Sequence, residues 1–449
     1  MSDNREIVLE ALLLFDKGEY ADKIIKSILD KYSYLERFER GFINRVFTGT
    51  IERRLSLDFI INNFSSVKVN KQKPVIRAIL RMSTYQLLFM DSVPDSAVIN
   101  EAVKLAKKKK FQGLSGFVNG VLRKISKEKA GISLPGMSSN GTGFPFPDEA
   151  KDYIEYLSVM YSCPQWLCEH FVKECGREKA KIILENSLKE RPVTIRTNIS
   201  KTSPSELKSV LESEGVSVTP VEEDGSFIIK DFDGLNSLES FNNGLFCVQD
   251  LSSQMILGHE SAQALSNAKL VIDVCAAPGG KTCHVADILR YLGNDGCEVI
   301  SRDLSFNKTD KIDENISRCG FDNVKTEVYD ALNLDDTLID KADLVIADLP
   351  CSGLGVIGRK ADIKYRVTKE DLDSLASLQR DILTVVSKYV RPGGRLIFST
   401  CTVNSTENSM NAKWIEENLN FHKLDEPMQI LNDSPIYDGF FISRFERNI

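Results

Sequence analysis

The 449-residue chain is 42% hydrophobic and 27% charged, a globular composition at a length too great for one ordinary core, so two or three domains are expected. Asp3, Arg5, Glu6, Glu10 and Asp16 mix charges into the first twenty residues, so no secretory leader is expected, and no apolar run approaches the ~20 residues that span a bilayer. Ten cysteines are scattered without a framework spacing and read as reduced thiols of a cytoplasmic protein.

The net charge of −7 hides an asymmetry: residues 1–130 hold 24 Lys and Arg against 15 Asp and Glu, and the remainder is acidic. The basic excess includes the run Lys107, Lys108, Lys109, Lys110. A basic half on an acidic protein suggests a polyanion-binding module. A solvated, lysine-rich helix face accounts for the same run equally well.

Residues 4 to about 128 read as all helix. "REIVLEALLLFDKGEY" and "ADKIIKSILDKY" space their apolar residues three and four apart, with Gly18 as the stop between them. The pattern continues through "KPVIRAILRMSTYQLLFM", "DSAVINEAVKLAKKKK" and "GLSGFVNGVLRKISKEK". Pro74 and Pro94 stand near helix starts, where a missing N–H costs little. A helical bundle over 1–130 is therefore predicted. Residues 131–148, "GISLPGMSSNGTGFPFPD", hold ten Gly, Ser or Pro and read as a linker. Residues 149–244 return to helix and then alternate strand and helix through "RPVTIRTNIS", "SPSELKSVLESEG", "VSVTPVEE" and "SFIIKDF", as in a small α+β subdomain. From 245 to 449 strands and helices alternate as in a doubly wound α/β sheet.

Four apolar runs in this last region end in unusual chemistry. "KLVIDV" runs into "CAAPGGKT", "CEVISRD" ends on Asp303, "ADLVIAD" ends on Leu349-Pro350-Cys351, and "RLIFSTC" ends on Cys401. Ligands of open parallel sheets sit outside the carboxyl ends of the strands, so the four ends are expected to converge on one site. The glycine turn is not a nucleotide-hydrolase phosphate loop. Counting back from Gly280-Lys281-Thr282, the first required glycine falls on Cys275. The turn suits an adenosine cofactor, with Asp303 placed to accept from ribose hydroxyls. Metal catalysis finds no support: His170, His259, His284 and His422 make no paired-ligand spacing, and Cys163, Cys168 and Cys175 match no zinc motif. No metal is expected.

"DVCAAPGGKT", "ADLPCSGLGV" and "FSTCTVN", in that order, resemble the RNA cytosine-5 methyltransferases that use S-adenosylmethionine. The N-terminal region, most of all "NEAVKLAKKKKFQGLSGFVNGVLRKI", resembles the NusB-type helical RNA-binding domain. The pairing is similar to the bacterial Sun/Fmu-type family that methylates small-subunit (16S) ribosomal RNA. The resemblance implies a Rossmann-like methyltransferase domain behind a NusB-like bundle, with S-adenosyl-L-methionine as cofactor and RNA as substrate.

Carbon 5 of cytosine is a poor nucleophile until a thiolate adds across carbon 6, which is covalent catalysis; such a thiol needs a site that favours its ionised form. Position alone does not say which cysteine attacks. In the resembled family the nucleophile belongs to the Thr-Cys motif, here Thr400-Cys401, and the Pro-Cys motif, here Pro350-Cys351, assists product release. DNA cytosine methyltransferases attack through Pro-Cys, and this keeps the reversed assignment open. The resemblance further places Cys275, Ala276, Ala277, Pro278, Gly279, Gly280 and Lys281 around the methionine and ribose of the cofactor. It puts Asp330 near the adenine. Asp348 is expected to face the edge of the base near N3 and the amino group, and Lys281 either to pair with Asp348 or to hold the cofactor. The chain departs from the family pattern at Ala361 and at Ser405-Thr406, ahead of Glu407-Asn408.

A target cytosine inside folded RNA must be unstacked before carbon 6 is reachable. Lys107 to Lys110, Arg123 and Lys124 are candidates for phosphate contacts, and Arg196 and Asn198 for contacts beside the target nucleotide. No coiled-coil repeat stands out, so a monomer is expected. A sister enzyme acting on tRNA or another rRNA site is the near alternative. A catalytically silent RNA-binding assembly factor is the alternative of another class.

Overall fold

The computed structural model describes residues 4–138, 141–221, 225–258 and 264–449. Contacts divide the chain into two compact units, residues 1–189 with 357–366, and residues 190–356 with 367–449.

In the first unit, helices Asn4–Asp16, Ala21–Lys31, Arg37–Glu52, Arg54–Phe64, Pro74–Phe89, Asp95–Lys108 and Ser115–Glu128 form the bundle that the apolar spacing predicts. Ile7, Ile43, Phe47, Leu57, Ile79 and Leu122 share its core. Pro74 opens its helix and Pro94 caps the next, positions where proline forfeits no helical hydrogen bond. Gly18, at φ +103°, turns the chain between the first two helices, a conformation that glycine adopts at low cost.

The glycine- and proline-rich segment after the bundle is held down by its apolar residues. Ile132 and Leu134 enter the core, and Phe144 and Phe146 pack against Phe59. Helices Tyr153–Met160, Gln165–Cys175 and Arg177–Asn186 also belong to this unit. Ser56 Oγ donates to the Val159 carbonyl at 2.6 Å, and Ser162 Oγ accepts from the Leu55 N–H at 2.9 Å. Residues 357–366 join them: Lys364 Nζ donates to the Glu52 carbonyl at 2.7 Å, and Tyr365 Oη lies 3.0 Å from Ser162 Oγ. Composition locates the segment at 131–148, but long-range packing, which composition does not register, groups the helices beyond it with the bundle.

The second unit holds two sheets. The smaller, antiparallel one has the order β2-β3-β1-β4, from β1 (Val193–Thr197), β2 (Ser217–Pro220), β3 (Ser226–Lys230) and β4 (Phe246–Val248). Its last strand comes after residue 245, because Phe246 and Cys247 pair with Thr197 and Arg196 of β1. The larger sheet contains β5 (Leu270–Asp273), β6 (Glu298–Asp303), β7 (Val324–Val328), β8 (Ala342–Asp348), β9 (Val390–Thr400), β10 (Phe421–Lys423), β11 (Met428–Ile430) and β12 (Phe440–Arg447). The order is β10-β12-β9-β8-β5-β6-β7, with β11 paired to β12. Strands β7, β6, β5, β8 and β9 are parallel, and β12 is antiparallel to β9.

Each central strand is buried on both faces. Val345 and Ala347 enter the core on one side, and Leu344 and Ile346 that on the other. This double burial is why these strands read as unbroken apolar runs rather than alternating ones. Among the described residues no helix is long and apolar enough to cross a membrane.

Candidate active site

The residues singled out from the sequence gather at the carboxyl ends of β5, β6, β8 and β9. After β5 the chain turns through Cys275–Gly279 into the helix Gly280–Tyr291. Gly279 lies at φ +100°, and a Cβ there would stand 3.2 Å from Ile312, so any side chain would be strained and crowded. Asp303 ties β6 to this turn. Its Oδ2 accepts from Ala277 N at 3.0 Å, and its Oδ1 from Leu304 N at 2.7 Å and Lys308 Nζ at 2.8 Å. A carboxylate offers about four lone-pair sites, so room remains for a hydroxyl donor. The exposed Lys308 can swing away to free more. The glycine turn, the N–H groups at the helix start and this carboxylate fit an adenosine-type ligand. Asp330 follows β7 at the adjacent strand end, where Tyr329 N donates to the Asp303 carbonyl at 2.9 Å. Cys275 packs within the turn, and burial and the Asp303 charge raise its thiol above the usual range, which suits packing rather than reaction.

Beneath the turn, Asp273 is fully buried. Thr282 Oγ1 donates to its Oδ2 at 2.8 Å, and its Oδ1 has no partner among the described residues. Burial pushes this carboxyl up to about 7.

Lys281 and Asp348 form a pair at 2.6 Å, and Ser399 Oγ donates to the other Asp348 oxygen at 2.8 Å. Burial opposes the Lys281 charge, but Asp348 outweighs it and holds the ammonium above its ordinary value. The Cys351 and Cys401 sulfurs lie 3.2 Å apart, and both residues are half-buried. The adjacent Cys401 sulfur and burial push the Cys351 thiol well above the usual thiol range. Two thiolates at this separation would repel, so the pair keeps a proton, and the raised Cys351 thiol is the one that holds it.

The loops bearing these thiols share one buried anchor, Glu407. It accepts from Ser352 N at 2.9 Å, from Ser352 Oγ, from Asn404 Nδ2 at 2.9 Å and from Gln379 Nε2 at 3.1 Å. Ser352 Oγ also meets Thr402 Oγ1 at 2.7 Å, and Gly355 N donates to the Cys401 carbonyl at 3.1 Å. Gly439 N donates to the Gly355 carbonyl at 2.9 Å. A Cβ on Gly355 would stand 1.9 Å from the Gly439 oxygen, and one on Gly439 would stand 2.7 Å from Gly355 Cα.

Residues 261–445 match the family described as 16S rRNA methyltransferase RsmB/F, residues 2–127 the NusB family, and residues 163–229 the ferredoxin-like domain of Methyltr_RsmF/B-like proteins. A Bacillus subtilis (strain 168) protein named "Probable ribosomal RNA small subunit methyltransferase B" is 34% identical over 410 residues, covering 90% of this chain and 86% of that one. The chain belongs to this methyltransferase family. A Synechocystis (strain PCC 6803) relative of the same name is 28% identical, covering 96% of each chain. The crystal structure of PH0851, 22% identical, shares the fold with a TM-score of 0.77 and covers 100% of this chain and 99% of that one.

The NusB-family helices carry the lysine run, but two of its members are already engaged. Lys108 pairs with Glu6 at 2.6 Å, and Lys109 with Glu6 at 2.9 Å and Glu10 at 3.1 Å. Lys107, Lys110, Arg123 and Lys124 are exposed, and Lys124 lines a 590 Å³ cavity with Lys127, Phe64 and Phe144. Arg196 and Asn198 are turned inward, contrary to their expected place beside a nucleotide. They are 6% and 0% exposed. Arg196 pairs with buried Asp287 at 2.8 Å, and Asn198 Nδ2 donates to the Gly244 carbonyl at 2.7 Å. Both hold the methyltransferase unit together, since a buried guanidinium requires a paired anion. The motifs themselves did not single out Glu407, Ser352, Ser399, Lys308 or Asp273. Asp273, Ser352 and Ser399 lie inside "DVCAAPGGKT", "ADLPCSGLGV" and "FSTCTVN", and Glu407 in the tail after Cys401, whereas Lys308 lies in no motif. His259 lies outside the described residues.

Proposed function

We propose that the chain methylates carbon 5 of one cytosine in small-subunit rRNA, with S-adenosyl-L-methionine as methyl donor and Cys401 as nucleophile. The observation that carries the reading is the pair of sulfurs 3.2 Å apart beside the Lys281–Asp348 pair. A binding protein has no need of two thiols and a paired carboxylate at strand ends. When bound against Cys275–Lys281, Asp303 and Asp330, the cofactor supplies an electrophilic methyl group.

The Cys401 thiolate adds to carbon 6, and the displaced electron pair makes carbon 5 nucleophilic, so that carbon 5 would take up the methyl group as the methyl–sulfur bond breaks. Asp348 accepts from the amino group of the base, and Lys281 keeps that carboxylate oriented. Once Cys401 is covalently bound, its charge no longer opposes ionisation of Cys351. Cys351 then releases its proton to solvent and takes the carbon-5 proton, and the Cys401–carbon bond breaks as the ring regains aromaticity. The exposed cations Lys107, Lys110, Arg123 and Lys124 hold surrounding phosphates, which gives a salt-dependent affinity.

The deciding experiment is transfer of labelled methyl from S-adenosylmethionine to deproteinised, undermodified small-subunit rRNA, with tRNA alongside, followed by nucleoside analysis. Label in 5-methylcytidine of rRNA alone is the expected result. Label in tRNA keeps the chemistry and moves the target. Absence of both label and cofactor binding overturns the reading in favour of a silent assembly factor.

A further inference from the structure

Three cysteines with no part in this chemistry meet in the second unit. Cys247 lies in β4, Cys283 in the helix Gly280–Tyr291, and Cys319 at the end of the helix Phe306–Cys319. Their sulfurs all lie within 4.8 Å of one another and all three residues are buried; the Cys247 and Cys319 sulfurs are 3.5 Å apart. Metal–thiolate bonds of about 2.3 Å in a trigonal set would space the sulfurs by roughly 4 Å. The cluster already stands near that geometry.

N–H donors face two of the three sulfurs. Asn198 Nδ2 donates to Cys319 Sγ at 3.4 Å, and the Arg318 guanidinium faces Cys247 Sγ at 4.0 Å. Arg318 is fixed there by the Phe241 and Phe246 carbonyls at 2.9 and 3.1 Å. Cys168 shows the opposite arrangement: its thiol donates to the Cys163 carbonyl at 3.7 Å, as a neutral packing thiol does. N–H donors aimed at sulfur are the usual outer support of metal thiolates.

We propose that Cys247, Cys283 and Cys319 form a three-thiolate site for a soft d10 cation of the zinc(II) and copper(I) class. Soft sulfur ligands select such ions. Each thiol gives its proton to solvent as its sulfur binds the ion, with no change of oxidation state. The ion would tie β4 to the helix that begins at the cofactor turn, in a structural role separate from Cys351 and Cys401.

The test uses the full chain carrying Cys351→Ser and Cys401→Ser, so that the reactive pair cannot bind metal. Reduced protein is titrated anaerobically with zinc(II) in one arm and copper(I) in another, each against a chromophoric chelator, with bound ions counted by native mass spectrometry. One ion per chain in either arm is expected, and the arm that binds tighter names the ion. Adding Cys319→Ser should weaken uptake more than about a hundredfold, whereas Cys163→Ser should not change it. No uptake in either arm, or uptake indifferent to Cys319→Ser, overturns the site. Because Cys319→Ser could unfold the chain, alkylation of the chain with all its cysteines is mapped in partial denaturant. Protection of Cys247, Cys283 and Cys319 together on ion loading supports the site, and protection confined to other thiols overturns it.

Discussion

The strand ends of the methyltransferase unit and the Lys107–Lys110 run carry charge in opposite ways. At the strand ends charges are tied into enclosed contacts: Lys281 holds Asp348 at 2.6 Å, and beside them fully buried Glu407 gathers donors from three separate segments. Along the lysine run the side chains reach into solvent, and Lys108 remains 58% exposed even while paired with Glu6. Enclosed networks fix atoms to a fraction of an ångström, since their groups have no alternative partner. Exposed cations fix only a field, and their pairings contribute little to stability.

The comparison breaks most sharply at the thiols. Cys401→Ala should abolish methyl transfer, and Cys351→Ala should leave a covalent protein–RNA adduct on a denaturing gel. An adduct from the Cys401 variant alone would reverse the two roles. Glu407→Ala leaves Ser352, Gln379 and Asn404 without their acceptor and should cost about 3 kcal/mol of stability, measured by urea unfolding. Its kcat should fall while cofactor affinity holds. Asp303→Ala should weaken S-adenosylmethionine roughly tenfold to a hundredfold by calorimetry.

Asp273 sharpens the contrast through pH. Its carboxyl lies near 7 in the folded chain and near the ordinary ~4 when unfolded. The folded state therefore keeps a proton that the unfolded state releases, and stability drops as pH rises from about 4 through 7. Asp273→Asn should flatten that slope in unfolding at pH 5 and pH 8; an unchanged slope would exclude Asp273 as its source. The smallest effect belongs to the lysines. Lys107→Gln should alter stability by less than about 0.5 kcal/mol and reduce the salt dependence of RNA affinity by about one ion.

The parallel sheet and the gathering of the motifs at its strand ends were legible because each central strand is apolar on both faces and stops at a short motif. Glu407 was harder to see: its partners Ser352, Gln379 and Asn404 come together only in the folded chain. Arg196 shows how alternation misleads. Ile195 beside it marks one face as core, which leaves the Arg196 face reading as solvent. That face is covered instead by the helix bearing Asp287. The thiol cluster escaped for a similar reason, its members being contributed by a strand and two helices with no local spacing to announce them.

The backbone contact between Gly355 and Gly439 bears on how this chain can vary. Each position is closed to even one added carbon by the backbone of the other, so a second change at one cannot easily rescue a first change at the other. In a saturation library the two should tolerate almost nothing, although they are 84 residues apart and neither bears a reacting atom. Sequence drift in the loop after Cys351 is thus governed by a residue on the approach to the strand beside β9.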